Sequence, residues 1–117
     1  MKTFEEILKE QEPVFLELFN SKESVASYFD ENLEDNVNIL YAWYEYESYS
    51  GAAIVIFEQS EKLYEVNGGH CSCYGLEGQW EPQEIKLNEI ENRLRKGTFG
   101  ELDGIKEQLK NFFGIDD

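Results

Sequence analysis

The sequence predicts an α+β fold: a three-stranded antiparallel β-meander flanked by N-terminal and C-terminal helices. Apolar residues recur at helical spacing over the first 31 residues and again from about residue 86 to 113. Between them, residues 37–66 are rich in β-branched and aromatic side chains. The length of 117 residues fits one domain, so we predict that residues 1–117 form a single α+β domain.

The N-terminal helices are expected over about residues 3–31. Thr3–Glu6 matches a capping box, and apolar residues at intervals of three and four continue through Phe4–Phe19. Pro13 is expected either to kink this helix or to open a second one. Asn20–Glu23 is a second capping pattern, which predicts a short helix that ends in an acidic loop.

The three strands are expected over about residues 37–66. Residues 37–49, 52–58 and 62–66 are separated by short connections, which favours antiparallel pairing over parallel crossovers. In the first run, strict alternation places on one face Val37, Ile39, Tyr41 and Trp43. Because both faces are apolar, the sheet is expected either to be covered on both sides or to leave an aromatic patch open to a partner.

The remaining chain is expected to contain a loop followed by helices. Residues 67–84 are rich in glycine, which predicts a loop that carries both cysteines and the single histidine. Apolar residues at helical spacing then predict helices over about residues 86–113, ended by Gly114.

The net charge of −15, from 25 acidic and 10 basic residues, restricts the partners that we expect. Direct nucleic-acid binding needs clustered Lys and Arg, whereas an acidic surface steers encounters with basic proteins. Ordinary solubility is the alternative explanation of this charge. No long apolar run predicts a membrane span, and the acidic N-terminus does not resemble a signal peptide, so we expect a cytoplasmic protein.

His70, Cys71 and Cys73 are the residues most suggestive of chemistry. They offer three soft ligands for zinc, but a structural zinc site commonly has four, in paired motifs. A thiol enzyme is a further alternative, although the surrounding acids would raise a thiol pKa and so disfavour the reactive thiolate. We therefore predict a non-enzymatic protein without a cofactor, in which these residues belong to a folded surface loop.

Three segments carry a resemblance to small, uncharacterised proteins of bacteriophages and prophages. They are Tyr44–Gly51, Lys62–Gly68 and Gly69–Pro82, and the last reads GHCSCYGLEGQWEP. The similarity spans roughly residues 41–82 and transfers no catalytic or binding residues. It implies a protein that acts inside a bacterial host cell, where small acidic phage proteins often bind host machinery such as restriction or CRISPR effectors.

These observations predict an acidic interaction protein that binds a basic surface of a host protein, as a nucleic-acid mimic that inhibits a defence system. Carboxylates would replace phosphates, and tyrosines would supply rigid contact area, although core packing is an equal alternative for the tyrosines. The predicted contact residues are Tyr44, Glu45, Tyr46, Glu47 and Tyr49 on the first hairpin, with Asp30, Glu31, Glu34 and Asp35 in the acidic loop. A homodimer formed through a free sheet edge is a further alternative, although the net negative charge of both copies opposes it.

Overall fold

A computed structural model describes residues 3–10, 12–47, 50–70, 75–96 and 106–115, five of them by backbone alone: Glu10, Tyr46, Glu47, Ser50 and His70. The fold is α+β, as predicted, with the element order α1-β1-α2-β2-β3-β4-β5-α3-α4. The helices are α1 (Phe4–Glu10), α2 (Lys22–Phe29), α3 (Leu87–Lys96) and α4 (Lys106–Phe113). The strands are β1 (Val14–Glu17), β2 (Asn38–Glu47), β3 (Ser50–Gln59), β4 (Lys62–His70) and β5 (Gln83–Ile85).

The chain divides into two compact units: residues 1–12 with 85–117, and residues 13–84. We call them the helical unit and the sheet unit. None of the helices in the described ranges is long and apolar enough to cross a membrane.

The helical unit contains α1, α3 and α4, and its helix ends follow the sequence signals. The predicted capping box of α1 is confirmed, because Glu6 N–H donates to Thr3 Oγ1 at 3.2 Å and Thr3 N–H donates to Glu6 Oε1 at 3.3 Å. At the end of α4, Gly114 adopts φ +72° and Ile115 N–H donates to Lys110 O at 2.8 Å. This is the left-handed glycine stop that Gly114 predicts. Among the described residues of this unit, the buried apolar side chains are Ile7, Ile90, Leu94, Leu109, Phe112, Phe113 and Ile115.

The sheet has five strands in the order β1-β2-β3-β4-β5. Its middle is the predicted meander, because β2 pairs antiparallel with β3, and β3 pairs antiparallel with β4. The predicted strand number was too low, since β1 adds parallel to β2 and β5 lies beyond β4. The segment expected to be a loop therefore contributes residues 67–70 to β4 and residues 83–84 to β5.

The prediction of helical structure through Phe19 was wrong, because residues 14–17 form β1. Both roles expected for Pro13 were also wrong, since it lies outside a helix, directly before the strand. Proline disfavours helical geometry in the residue before it, and Val14-Phe15 favours a strand when a neighbouring strand is available. The pairing partner is Tyr41–Tyr44 of β2, which lies far along the sequence and was not visible in the local pattern.

The second capping box is shifted by one residue from its expected position. Ser21 is the N-cap of α2 and accepts from Ser24 N–H at 3.1 Å, while Ser24 Oγ accepts from Ser21 N–H at 3.0 Å. Ser24 thus takes the role that the sequence pattern gave to Glu23, and its Oγ also accepts from Asn20 N–H at 2.9 Å, the donor that Glu23 was expected to reach.

A register shift between Ile39 and Tyr41 corrects the expected faces of β2. Ile39 pairs with Phe57 and Tyr41 pairs with Ile56, so Leu40 is an extra residue opposite two consecutive partners. A bulge of this kind reverses the alternation beyond it. The shared face therefore carries Val37, Ile39, Ala42 and Tyr44, and not the expected set.

Helix α2 and one face of the sheet form the main core of the sheet unit. The cluster consists of Phe19, Val25, Phe29, Val37, Ile39, Ala42, Tyr44, Ala53, Val55, Phe57, Val66 and Leu76. The opposite face also carries buried side chains, including Tyr41, Ile54, Ile56 and Leu63. Burial disfavours the phenolate form of Tyr41 and raises its pKa from 10.0 to about 12.

Candidate interaction surface

The acidic loop begins at the C-terminus of α2. Asp30 adopts φ 55°, and Glu31 N–H donates to Ala26 O at 2.9 Å, so the helix ends in a left-handed turn. The side chains of Asp30 and Glu31 are exposed beside an open concavity of about 450 Å³. Its lining consists of Glu23, Ala26, Ser27, Asp30, Glu31 and Asn32. Because helix C-termini carry partial negative charge, this concavity attracts cations and basic groups.

The second half of the loop is held by backbone acceptors. Lys22 Nζ donates to Glu34 O at 2.8 Å and to Asp35 O at 3.4 Å. The lysine therefore orders the loop through carbonyl oxygens and leaves the carboxylates of Glu34 and Asp35 directed outward, where both side chains are exposed. This geometry presents negative charge on a fixed backbone, which lowers the entropy lost on binding a partner.

The β3–β4 hairpin brings one more carboxylate to this place. Its two loop residues, Ser60 and Glu61, have φ 53° and 66°, as in the type I′ turns that join tightly paired strands. Glu58 Oε2 accepts from Glu61 N–H at 2.8 Å, and Glu58 Oε1 accepts from Asn38 Nδ2 at 2.6 Å. Glu58 therefore supports the turn, while the side chain of Glu61 remains exposed.

Gln59 joins the hairpin to the acidic loop. Its Nε2 donates to Asn36 Oδ1 at 2.9 Å and to Glu34 Oε2 at 3.4 Å. We therefore define the acidic end of the sheet unit as Asp30, Glu31, Glu34, Asp35 and Glu61. Glu61 was missed by sequence reasoning, although the two-residue connection between strands is a signal that could have placed it at a hairpin tip.

Charge is distributed unevenly between the two units. Residues 13–84 contain 14 acidic and 2 basic residues, which is −12 of the total −15. One of these bases is Lys22, and the other is Lys62, which forms an exposed ion pair of 3.9 Å with Glu84. Within the described residues, no ion pair involves a carboxylate of the acidic end. The sheet unit therefore carries a strong negative field that its own side chains do not neutralise.

Of the residues predicted on the first hairpin, Tyr44 and Glu45 do not join this surface. Tyr44 is only 2% exposed and lies in the core, so it belongs to the core-packing alternative and is removed from the contact set. Glu45 is exposed but lies seven residues along β2 from Asn38, a distance of about 24 Å in an extended strand. The side chains of Tyr46 and Glu47, and the whole of Tyr49, lie outside the described residues.

The glycine-rich segment is described from Gly75 onward, and there it supports the edge of β4. Gln79 Oε1 accepts from Gly69 N–H at 2.8 Å, and Gln79 Nε2 donates to Gly69 O at 2.8 Å and to Gly75 O at 2.7 Å. The side-chain amide thus replaces a neighbouring strand at Gly69. Gly78 adopts φ +77° in the turn that brings Gln79 to this position, where the N–H of Gln79 donates to Leu76 O at 3.1 Å.

The same segment packs into the core of the sheet unit. Leu76 is buried, and the Trp80 ring stacks on Phe57 with a centroid distance of 5.5 Å and an interplanar angle of 13°. Trp80 also meets Phe29 edge-on at 5.1 Å. Gly68 permits this close packing, because a Cβ added there would lie 2.8 Å from Leu76 Cδ2. Residues 75–80 thus stabilise the fold of the sheet unit.

The metal-binding and thiol-enzyme hypotheses for His70, Cys71 and Cys73 stay predictions. Cys71 and Cys73 lie outside the described residues, and His70 is described only by its backbone, which pairs with Gly51 at the end of β4. Elsewhere in the described part of the chain, no three His, Cys, Asp or Glu side chains are grouped as metal ligands.

Comparisons with protein-family models, curated proteins and solved structures give no match to this chain. The resemblance to bacteriophage proteins therefore stays a prediction.

Proposed function

We propose that this chain is a non-enzymatic interaction protein whose sheet unit binds a basic surface of another protein through its acidic end. The observation that carries this proposal is the charge of the sheet unit, −12 over residues 13–84, together with the carboxylates of the acidic end, which form no ion pair within the described structure. The asymmetry between the units comes from the bases, because residues 13–84 contain only 2 of the 10 Lys and Arg residues and their 14 acids are therefore left largely uncompensated.

The arrangement favours attraction at a distance followed by contact. Opposite charges in clefts or patches raise association rates by about 10- to 1,000-fold at low salt. Because the loop backbone is held by Lys22 and Gln59, the carboxylates are already positioned when a partner arrives. Arginine on the partner could bind such carboxylates through two parallel hydrogen bonds.

The finer proposal is that the partner is a bacterial host protein whose basic groove normally holds nucleic acid. The resemblance to bacteriophage proteins supports the host context, and the density of carboxylates supports replacement of phosphates. A defence effector that binds DNA or RNA would have this chemistry. The chain would then act as a nucleic-acid mimic in the cytoplasm, without a cofactor of its own.

Affinity capture from bacterial lysate tests the proposal when it is performed with two charge-matched variants. The first changes Asp30→Asn, Glu31→Gln, Glu34→Gln and Asp35→Asn, which keeps the polar shape and the left-handed tolerance at position 30. The control changes four exposed acids elsewhere, namely Glu5, Glu12, Glu77 and Glu89, each to Gln. Both variants have the same net charge, so a difference between them reports the position of the charge.

We expect the unmodified chain and the control to retain a basic partner that the acidic-end variant binds roughly 10- to 100-fold more weakly. Retention should also decrease steeply between about 0.05 and 0.5 M salt, because the Debye length shortens over this range. Capture that is insensitive to salt, or equal loss in both variants, would contradict binding at the acidic end.

A further inference from the structure

β1 is an edge strand of the sheet. It pairs with β2 on one side, and no described strand lies on its other side. Val14, Phe15 and Leu16 are each half-buried. An open edge presents backbone N–H and C=O groups that can pair with an added strand.

Two exposed apolar side chains lie at the end of this edge. Among the described residues, Leu18 and Tyr28 are the most exposed large apolar side chains, at 39% and 40%. Both are positioned by Tyr44: Leu18 N–H donates to Tyr44 O at 3.1 Å, and the Tyr28 ring meets the Tyr44 ring edge-on at 5.1 Å. Phe19 supports Tyr28 from the core, with ring centroids 5.9 Å apart. These contacts hold Leu18 and Tyr28, which we call the apolar patch, in fixed positions.

Carboxylates flank the patch. Glu17 pairs with Tyr44 in the parallel register, and Glu45 follows Tyr44 along β2, so the two exposed acids lie on adjacent strands. Within the described structure neither forms an ion pair. A second copy of the sheet unit would bring another −12 against this edge, whereas a basic segment would neutralise it.

We propose that the outer edge of β1 binds an extended basic segment of the partner protein as an added strand. Apolar side chains on one face of that strand would contact Leu18 and Tyr28, and Lys or Arg would lie beside Glu17, while Glu45 on the next strand adds to the negative field. This inference rests on the proposed function, because it assumes a basic partner. It names a second contact: the acidic end attracts the partner, and the β1 edge holds an extended segment of it through backbone pairing.

A synthetic peptide of about five Lys-Val repeats serves as the probe, since alternation matches the two faces of a strand. The control peptide contains the same residues as a block of Lys followed by a block of Val. Binding is followed by calorimetry and by backbone amide chemical shifts. The chain is tested as the unmodified protein and as Leu18→Ser/Tyr28→Ser, with Leu8→Ser as a matched control because Leu8 is 36% exposed on α1.

We expect the alternating peptide to bind at least about 10-fold more tightly than the block peptide, with shifts concentrated in β1 and nuclear Overhauser contacts between the two backbones. The double variant should lose this preference, whereas Leu8→Ser should keep it. If the double variant is poorly folded by circular dichroism, Glu17→Lys/Glu45→Lys replaces it, and this variant should weaken the alternating peptide to a similar degree.

Three outcomes would overturn the inference. Equal binding of the two peptides, with shifts confined to the acidic end, would leave the proposed function standing and remove the edge contact. A dimer that forms through β1 and excludes the peptide would assign the edge to a second copy. Failure of both peptides to bind would also reject the edge contact, while the lysate capture would decide the proposed function separately.

Discussion

Replacement of Gly68 by alanine should destabilise the sheet unit through one identified overlap. The added Cβ would lie 2.8 Å from Leu76 Cδ2, whereas ordinary contacts lie at 3.4–4 Å, so Leu76 would have to move by about 0.6 Å. Leu76 is 1% exposed in a close-packed cluster, and overpacking at such sites costs about 1–3 kcal/mol. The reduced freedom of the unfolded chain offsets about 0.4–1 kcal/mol of this.

The expected net loss for Gly68→Ala is about 0.5–2 kcal/mol, which urea unfolding can measure as a midpoint shift of about 0.3–1 M. Trp80 is a suitable fluorescence reporter, because its ring stacks on Phe57 within the sheet unit. Gly69→Ala is the matched control: its nearest neighbour would be Gly51 O at 4.0 Å, so we expect an unchanged or higher stability. Equal stabilities of the two variants would refute the packing argument.

Four further predictions concern separate features. Glu61→Gly should raise the free energy of unfolding by about 0.5–1 kcal/mol, because φ 66° strains a residue with a side chain; an unchanged urea midpoint would contradict this. Gln79→Ala should remove three hydrogen bonds, lower stability by about 1–3 kcal/mol and speed hydrogen exchange at the Gly69 amide; unchanged exchange would show that the amide does not protect the strand edge. Because the pKa of Tyr41 is raised to about 12, its stabilising contribution is complete below pH 10.0 and is lost as the pH rises to about 12; the decrease should be about 2–3 kcal/mol and should be absent in Tyr41→Phe. Protein purified without added metal should contain far less than one equivalent of zinc by elemental analysis, and stoichiometric zinc that a Cys73→Ser variant loses would favour the metal module instead.

The parts of the fold that were predictable from sequence depend on local signals. The Thr3–Glu6 box and the Gly114 stop involve groups only a few residues apart, so the pattern contains the whole interaction. β1 was missed because its assignment depends on pairing with Tyr41–Tyr44, and a short apolar run has no decisive period of its own. The bulge at Leu40 was missed for a similar reason, since alternation counts residues and does not detect an extra one.

The candidate surface was predictable only in part. The acids at residues 30–35 were found because exposed loops and charge runs are visible in the sequence. The assignment of Tyr44 to the surface followed from its aromatic side chain, whereas its burial depends on Phe19 and Tyr28 packing against it. The addition of Glu61 depends on Gln59, which joins two segments that are separated along the chain.

The parallel pairing of β1 with β2 has a consequence for how the chain assembles. The partners Val14 and Tyr41 are separated by 27 positions, whereas β2, β3 and β4 are joined by short hairpins. Closing the longer stretch costs more chain entropy, so the hairpins are expected to form first and β1 to dock last. On the native molecule the same strand should detach before the hairpin strands β2, β3 and β4, which would leave β2 briefly unpaired along one side. The strand that we assign to partner capture is thus released more easily than the strands of the hairpins.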